Sequence, residues 1–263
     1  MTEFLSSDGV RIVYDDLGPR DGVPVVLCHG LASAGRQLLA DAEYFAAEGF
    51  RVLVPDLRGH GRSGKPEPLS AEAFVLARMA LDQIEMLDHA GTGPVHWVGN
   101  SLGGIVALEM LAEHAGRFRT LATFGTSYAL NLPDWSGNML PPAYRVLGPY
   151  LIGAIVGRTT TRNKAAQPMI ATLIRGFDPE VGRYVANEVA RYDLIANAVA
   201  VSLPILLLRG ARDGAVNTAL GSTLAAMEGK PNFSLVELKA GGHCANLDDT
   251  DAFRAALLDF WAR

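Results

Sequence analysis

Apolar residues occur in two alternating textures, short unbroken runs bounded by glycine and longer stretches at helical spacing. Thr2 to Ser6 is a candidate first strand, and Val10 to Leu17 reads as a second. Val23 to Cys28 (VPVVLC) is an apolar run between Gly22 and Gly30, the pattern of a strand covered on both faces. Ser33 to Glu48 is rich in Ala and Leu and reads as a helix, with Gly49 in the position favoured after a helix end. Arg51 to Pro55 is strand-like, and Asp56 to Pro68 is a loop of Gly, Pro and Arg. Ser70 to Ala90 predicts a long helix, from its Ser70-x-Glu72 start to the Gly91 stop. Val95 to Val98 (strand), Ser101 to His114 (helix) and Phe118 to Phe124 (strand) continue the alternation.

The alternation then breaks. Tyr128 to Ala200 carries no convincing buried strand; a turn-rich start leads into helical stretches near Ala143–Val156, Lys164–Ile174 and Pro179–Ala198. From Ile205 the order resumes: strand Ile205 to Leu208, helix Thr218 to Met227, strand Phe233 to Leu238, helix Thr250 to Ala262. An antiparallel start followed by alternating strands and helices predicts an α/β fold. Its mostly parallel, doubly wound sheet has about eight strands, with a helical block inserted after the sixth.

Composition narrows the classes. Of 263 residues 49% are hydrophobic, with 28 acids against 23 bases. Disordered chains are poorer in apolar residues, and nucleic-acid binders carry a basic footprint, so neither class is expected. Two cysteines, Cys28 and Cys244, are too few for a disulfide framework. Met1 to Asp8 has acids and no basic segment leading into an apolar one, so no signal peptide is expected. The longest nearly apolar run, Val146 to Gly157, is 12 residues, against the roughly 20 that span a bilayer. A cytoplasmic protein without a membrane span is the expectation.

Gly99-Asn100-Ser101-Leu102-Gly103-Gly104 matches G-x-S-x-G between a strand and a helix, the context a nucleophile elbow requires. The chain must reverse sharply there with Ser101 strained, so the residues two before and two after must be small. Such a turn presents a hydroxyl at the carboxyl edge of the sheet. Developing negative charge needs backbone donors, and the N–H groups of Leu102 and of Leu31, in His29-Gly30-Leu31 after the Val25–Cys28 run, are the candidates.

A general base must activate the serine, and histidine is the usual choice. Of His29, His60, His89, His96, His114 and His243, His243 fits the chain order Ser, acid, His. It lies in Ala240-Gly241-Gly242-His243-Cys244-Ala245-Asn246, after the last strand. The orienting acid is expected at a strand end between them, and Asp213 stands just past Leu206–Leu208. Gly125-Thr126-Ser127 offers no acid, and Asp134, Asp178 and Asp193 lie in the inserted block, where they fit poorly.

These segments, with Asp56-Leu57-Arg58-Gly59-His60-Gly61-Arg62-Ser63, resemble the α/β-hydrolase superfamily in its cap-bearing branch, over essentially the whole chain. The resemblance implies the α/β-hydrolase fold, with residues 1–127 and 201–263 as the core and 128–200 as a helical cap, or lid, over the active site. The elbow is similar to those of esterases and of C–C bond hydrolases. Gly242 to Leu247 looks more like the esterase and enol-lactonase group, since Cys244 stands where C–C hydrolases usually carry Trp. Serine at 101 departs from the aspartate nucleophile of haloalkane dehalogenases and epoxide hydrolases. Tyr128, Trp135, Met139 and Tyr144, with Leu132, Leu140, Met169 and Ile170, are apolar lid residues from which a pocket could be built.

Other motifs carry less. Gly59 to Gly64 spells G-x-G-x-x-G, but Pro66 and Pro68 follow where a phosphate-binding helix would have to open, so nucleotide binding is rejected. Cys28-His29 and His243-Cys244 lack zinc-site spacing, and neither metal nor cofactor is expected. Arg36 could reach a substrate carboxylate, though a solvated helix face suits it better. The expectation is a serine hydrolase cleaving a carboxylic ester or lactone of a small, largely apolar substrate. C–C bond hydrolysis of a ring-cleavage product or β-diketone is the alternative, with a non-catalytic small-ligand receptor behind it.

Overall fold

Apolar runs that lack polar alternation need cover on both faces, and the computed structural model, which describes residues 1–133 and 135–262, supplies it. The strands are β1 (Thr2–Leu5), β2 (Arg11–Leu17), β3 (Pro24–Cys28), β4 (Arg51–Asp56), β5 (Val95–Asn100), β6 (Phe118–Phe124), β7 (Ala129–Asn131), β8 (Arg191–Asp193), β9 (Ile205–Gly210) and β10 (Phe233–Leu238). The helices are α1 (Leu39–Ala47), α2 (Leu76–His89), α3 (Leu102–His114), α4 (Leu140–Thr160), α5 (Gln167–Gly176), α6 (Pro179–Glu188), α7 (Ile195–Ala200), α8 (Gly214–Ala219), α9 (Gly221–Met227), α10 (Ala245–Asp248) and α11 (Thr250–Trp261).

Eight strands form one sheet in the order β1-β2-β4-β3-β5-β6-β9-β10. β1 and β2 pair antiparallel, as do β2 and β4, and the remaining neighbours are parallel. Side chains alternate between the faces along each strand. Val25 and Leu27 of β3 join Phe45 of α1 and Phe253, Leu257 and Phe260 of α11 on one face. Val26 and Cys28 join Met79 and Leu87 of α2 and Val106 of α3 on the other. This is the doubly wound α/β architecture expected from the sequence.

Two boundaries differ for reasons remote in sequence. The helix expected from Ser70 starts at Leu76, after a 3-10 turn at Glu72–Phe74 and an extended Val75. Phe74 is drawn into the core, and the Leu76 N–H donates to Glu188 Oε1 at 2.9 Å, a capping partner from the inserted block. The helix expected over Pro179–Ala198 is interrupted by β8, which pairs antiparallel with β7 and ties the two ends of the inserted block together.

Helix α4 kinks where Gly148 (φ 76°) precedes Pro149, a ring that cannot donate a backbone hydrogen bond. With the 3-10 turn before it, the helical run is Ser136–Thr160, 25 residues, long and apolar enough to cross a membrane. The 12-residue stretch Val146–Gly157 is the part of this run between Arg145 and Arg158, and it spans the kink.

Candidate active site

Ser101 is the single residue between β5 and α3, with φ 49° and ψ −115°. Positive φ is strained for a residue with a side chain. The turn is held by the Ser101 N–H, which donates to the Phe124 carbonyl at 2.9 Å. Gly99 and Gly103 are forced by close approach. A Cβ at either would sit 2.4 Å from backbone, from Gly104 N and from the Cys28 carbonyl oxygen respectively. That is the steric content of G-x-S-x-G. The Ser101 side chain makes no cap hydrogen bond, so the first N–H groups of α3, Leu102 among them, have no side-chain cap from it.

Asp213 follows β9 and is buried, and its carboxylate accepts from Val216 N–H at the start of α8 and from His243 Nδ1 at 2.9 Å. With Nδ1–H donated to Asp213, Nε2 is left as the basic nitrogen. The His243 loop is fastened from three sides. Gly242 N–H donates to Asp248 Oδ2 at 2.9 Å, Cys244 N–H donates to the Thr160 carbonyl at 3.2 Å, and Asn100 Nδ2 donates to the His243 carbonyl at 3.1 Å. Asn100 also donates to the Phe124 carbonyl at 3.2 Å and accepts from Gln37 Nε2 at 2.9 Å, so one buried amide joins the serine turn to the histidine loop.

Ser101 and His243 line the same cavity, of about 340 Å³. Leu31, Gln37 and Cys244 complete its floor, and Leu140, Tyr144, Ile152, Val156, Ile174 and Phe177 form its roof. No Asp, Glu, Lys or Arg side chain is among the lining residues.

The inserted block therefore covers the site, but with partly different residues from those expected. Leu140, Tyr144 and Ile170 reach the cavity. Trp135 and Met139 do not, being 57% and 58% exposed where the block turns outward, and Leu132 is 46% exposed. Tyr128 fails for the opposite reason, lying fully buried beneath the site with its hydroxyl against Thr123 Oγ1. Met169 and the exposed Arg36 flank a separate surface cleft. Asp178 caps α6 and meets Lys65, Asp193 pairs in β8, and Asp134 lies outside the described residues. Ile152, Val156 and Thr160 were missed, although their spacing of four marks one helical stripe.

Gly59 to Gly64 opens no helix and is instead fastened from below. Arg58, fully buried, donates to Asp82 at 2.5 and 2.7 Å and to Asp8 at 2.9 Å, while Arg62 pairs with Asp56 at 2.6 Å. His29 Nδ1 donates to the Gly30 carbonyl at 2.7 Å and Nε2 accepts from Leu57 N–H at 3.0 Å, which fixes its tautomer and gives it a structural role. Burial pushes His60 down to about 3, and it packs between His29 and Phe177. Cys28 and Cys244 are unpaired and buried, and burial raises both thiols well above their usual range, which makes Cys244 a poor target for thiol reagents.

The family model described as the alpha/beta hydrolase fold matches residues 23–250. A relative from Mycolicibacterium smegmatis, named as a monoacylglycerol lipase, is 32% identical over 235 residues, 84% of this chain and 81% of that protein. A Variovorax paradoxus protein provisionally named carbamate hydrolase RutD is 27% identical over 263 aligned residues, 95% of this chain and 96% of its own. The solved enol-lactonase of Burkholderia xenovorans LB400 superimposes with a TM-score of 0.87 at 22% identity, covering 100% of both chains, a likeness of fold.

Proposed function

The chain belongs to the alpha/beta hydrolase family, and from that premise we propose that it is a serine hydrolase cleaving a carboxylic ester or lactone of a small, largely apolar substrate. The observation that carries this reading is the convergence on one cavity of a strained Ser101 and a His243 whose Nδ1 is held at 2.9 Å by buried Asp213. Ser101 Oγ attacks the carbonyl carbon as His243 Nε2 takes its proton. Asp213 fixes the tautomer and stabilises the imidazolium. The N–H groups of Leu31 and Leu102 receive the oxyanion, and loss of one such donor typically costs about 100- to 1000-fold in rate. Collapse expels the alcohol, which takes the proton from His243; water then attacks the acyl-enzyme with His243 again as base.

A wall without charged side chains supports a neutral acyl group, because an unpaired charge inside it would be left desolvated. The relative named as a monoacylglycerol lipase supports ester chemistry. The test is a panel of p-nitrophenyl acetate, an enol-lactone and a vinylogous diketone, each with the wild type and Ser101→Ala. Turnover of ester or lactone that is lost in Ser101→Ala is expected. Preferential cleavage of the diketone would move the assignment to C–C bond hydrolysis, and tight ligand binding without turnover to a receptor.

A further inference from the structure

Helix α4 is apolar on both sides, and only one of them is covered. Its inward stripe, Ile152, Val156 and Thr160, lines the cavity, and Gly153 and Gly157 let α5 approach closely. Its outward side carries Val146 at 81% exposure and Tyr150 at 74%, together with exposed Leu147, Leu151 and Ile155. Within α4 only Gly153 and Gly157 are buried. A helix that is hydrophobic all round is normally enclosed, and an exposed apolar patch of this kind marks an interaction surface.

Charge identifies the partner. Between Trp135 and Phe177 the chain has five basic residues and no acid, although the whole chain carries a net charge of −5. Arg145, Arg158, Arg162, Lys164 and Arg175 are all exposed, and among the described residues none of them forms an ion pair. Arg175 instead lies over the ring of exposed Tyr150, 4.9 Å from its centroid. An apolar face edged by basic side chains matches the boundary between anionic headgroups and acyl chains. A second copy of this chain matches it poorly, because a two-fold contact would set the same five cations against one another. The kink at Gly148 and the packing of the inward stripe favour a helix that lies on the bilayer surface over one that crosses it.

We propose that the outward face of α4, in a segment whose five charged residues are all basic, docks on an anionic lipid surface. Docked in this way, the helix has lipid on one side and the cavity on the other. The inference stands apart from the hydrolytic reading and is tested without it. The protein is sedimented with phosphatidylcholine vesicles and with vesicles that also contain phosphatidylglycerol, at low and high salt. Binding to the anionic vesicles that weakens with salt is expected. The double variant Val146→Glu with Leu151→Glu should lower partitioning at least about tenfold. Arg145→Gln with Arg158→Gln should lower it about fivefold for each charge removed. Both variants should keep the wild-type melting temperature; the arginine pair, on polar exposed sites, reads the effect even if the glutamate pair fails to fold. Absence of vesicle binding, equal binding to neutral vesicles, or binding indifferent to both variants would overturn the proposal. So would a dimer in solution that the glutamate variant dissociates.

Discussion

Leu27 on β3 and Leu151 on α4 are the same residue in two regions built on opposite terms. Leu27 is fully buried between layers, whereas Leu151 is 49% exposed on the lid. Around the sheet edge, polar groups are drawn inward and matched. Arg58 is buried against Asp82 and Asp8, and Asn100 bonds to two carbonyls and to Gln37. Between Trp135 and Phe177, apolar groups face outward and, among the described residues, the cations stand without acidic partners. The contrast teaches where rigidity is needed. A strained Ser101 persists only because close-packed backbone at Gly99 and Gly103 and the Asn100 bridge over-determine its position. The roof of the cavity needs only apolar volume.

Asp213→Asn should keep the fold and lower kcat by about 10⁴-fold, because the amide favours the wrong imidazole tautomer. Ester turnover with an unchanged melting temperature is the check. Arg58→Met leaves fully buried Asp82 with Arg78 as its remaining cationic partner, and should destabilise the protein by about 1.5–3 kcal/mol in urea unfolding. The leucine pair gives the comparison directly: Leu27→Ala should cost about 2–5 kcal/mol, and Leu151→Ala should stay within about 0.5 kcal/mol.

Acid should act on the buried histidines of the sheet edge. His60 has a folded value of about 3, held down chiefly by burial, against an ordinary value of 6.5. Its neutral form thus contributes stability that is fully present above pH 6.5 and is lost progressively as pH falls toward 3. Burial lowers His29 in the same direction. Urea midpoints measured from neutral pH downward should fall across that window, and less steeply in His60→Gln.

Legibility in the sequence follows the same divide. The sheet was readable because apolar runs such as Val25–Cys28 leave a strand covered on both faces little alternative. The meeting of Ser101 and His243 at one cavity, with Asp213 against His243, was readable because turn sterics and chain order constrain where such residues stand. The lid was readable as helical but not in its orientation. Trp135 and Tyr144 are both aromatic, yet Tyr144 reaches the cavity and Trp135 is 57% exposed, a difference that residue type does not encode. The Glu188 cap on α2 was invisible for a similar reason, since residues 112 apart in sequence meet only after folding.

The proposed hydrolysis depends above all on Ser101 as the nucleophile. A fluorophosphonate probe followed by peptide mass spectrometry tests it most directly. A single adduct on Ser101 is expected, absent from Ser101→Ala and formed more slowly in Asp213→Asn. An adduct on another residue, or ester turnover persisting at the wild-type rate in Ser101→Ala, would contradict it.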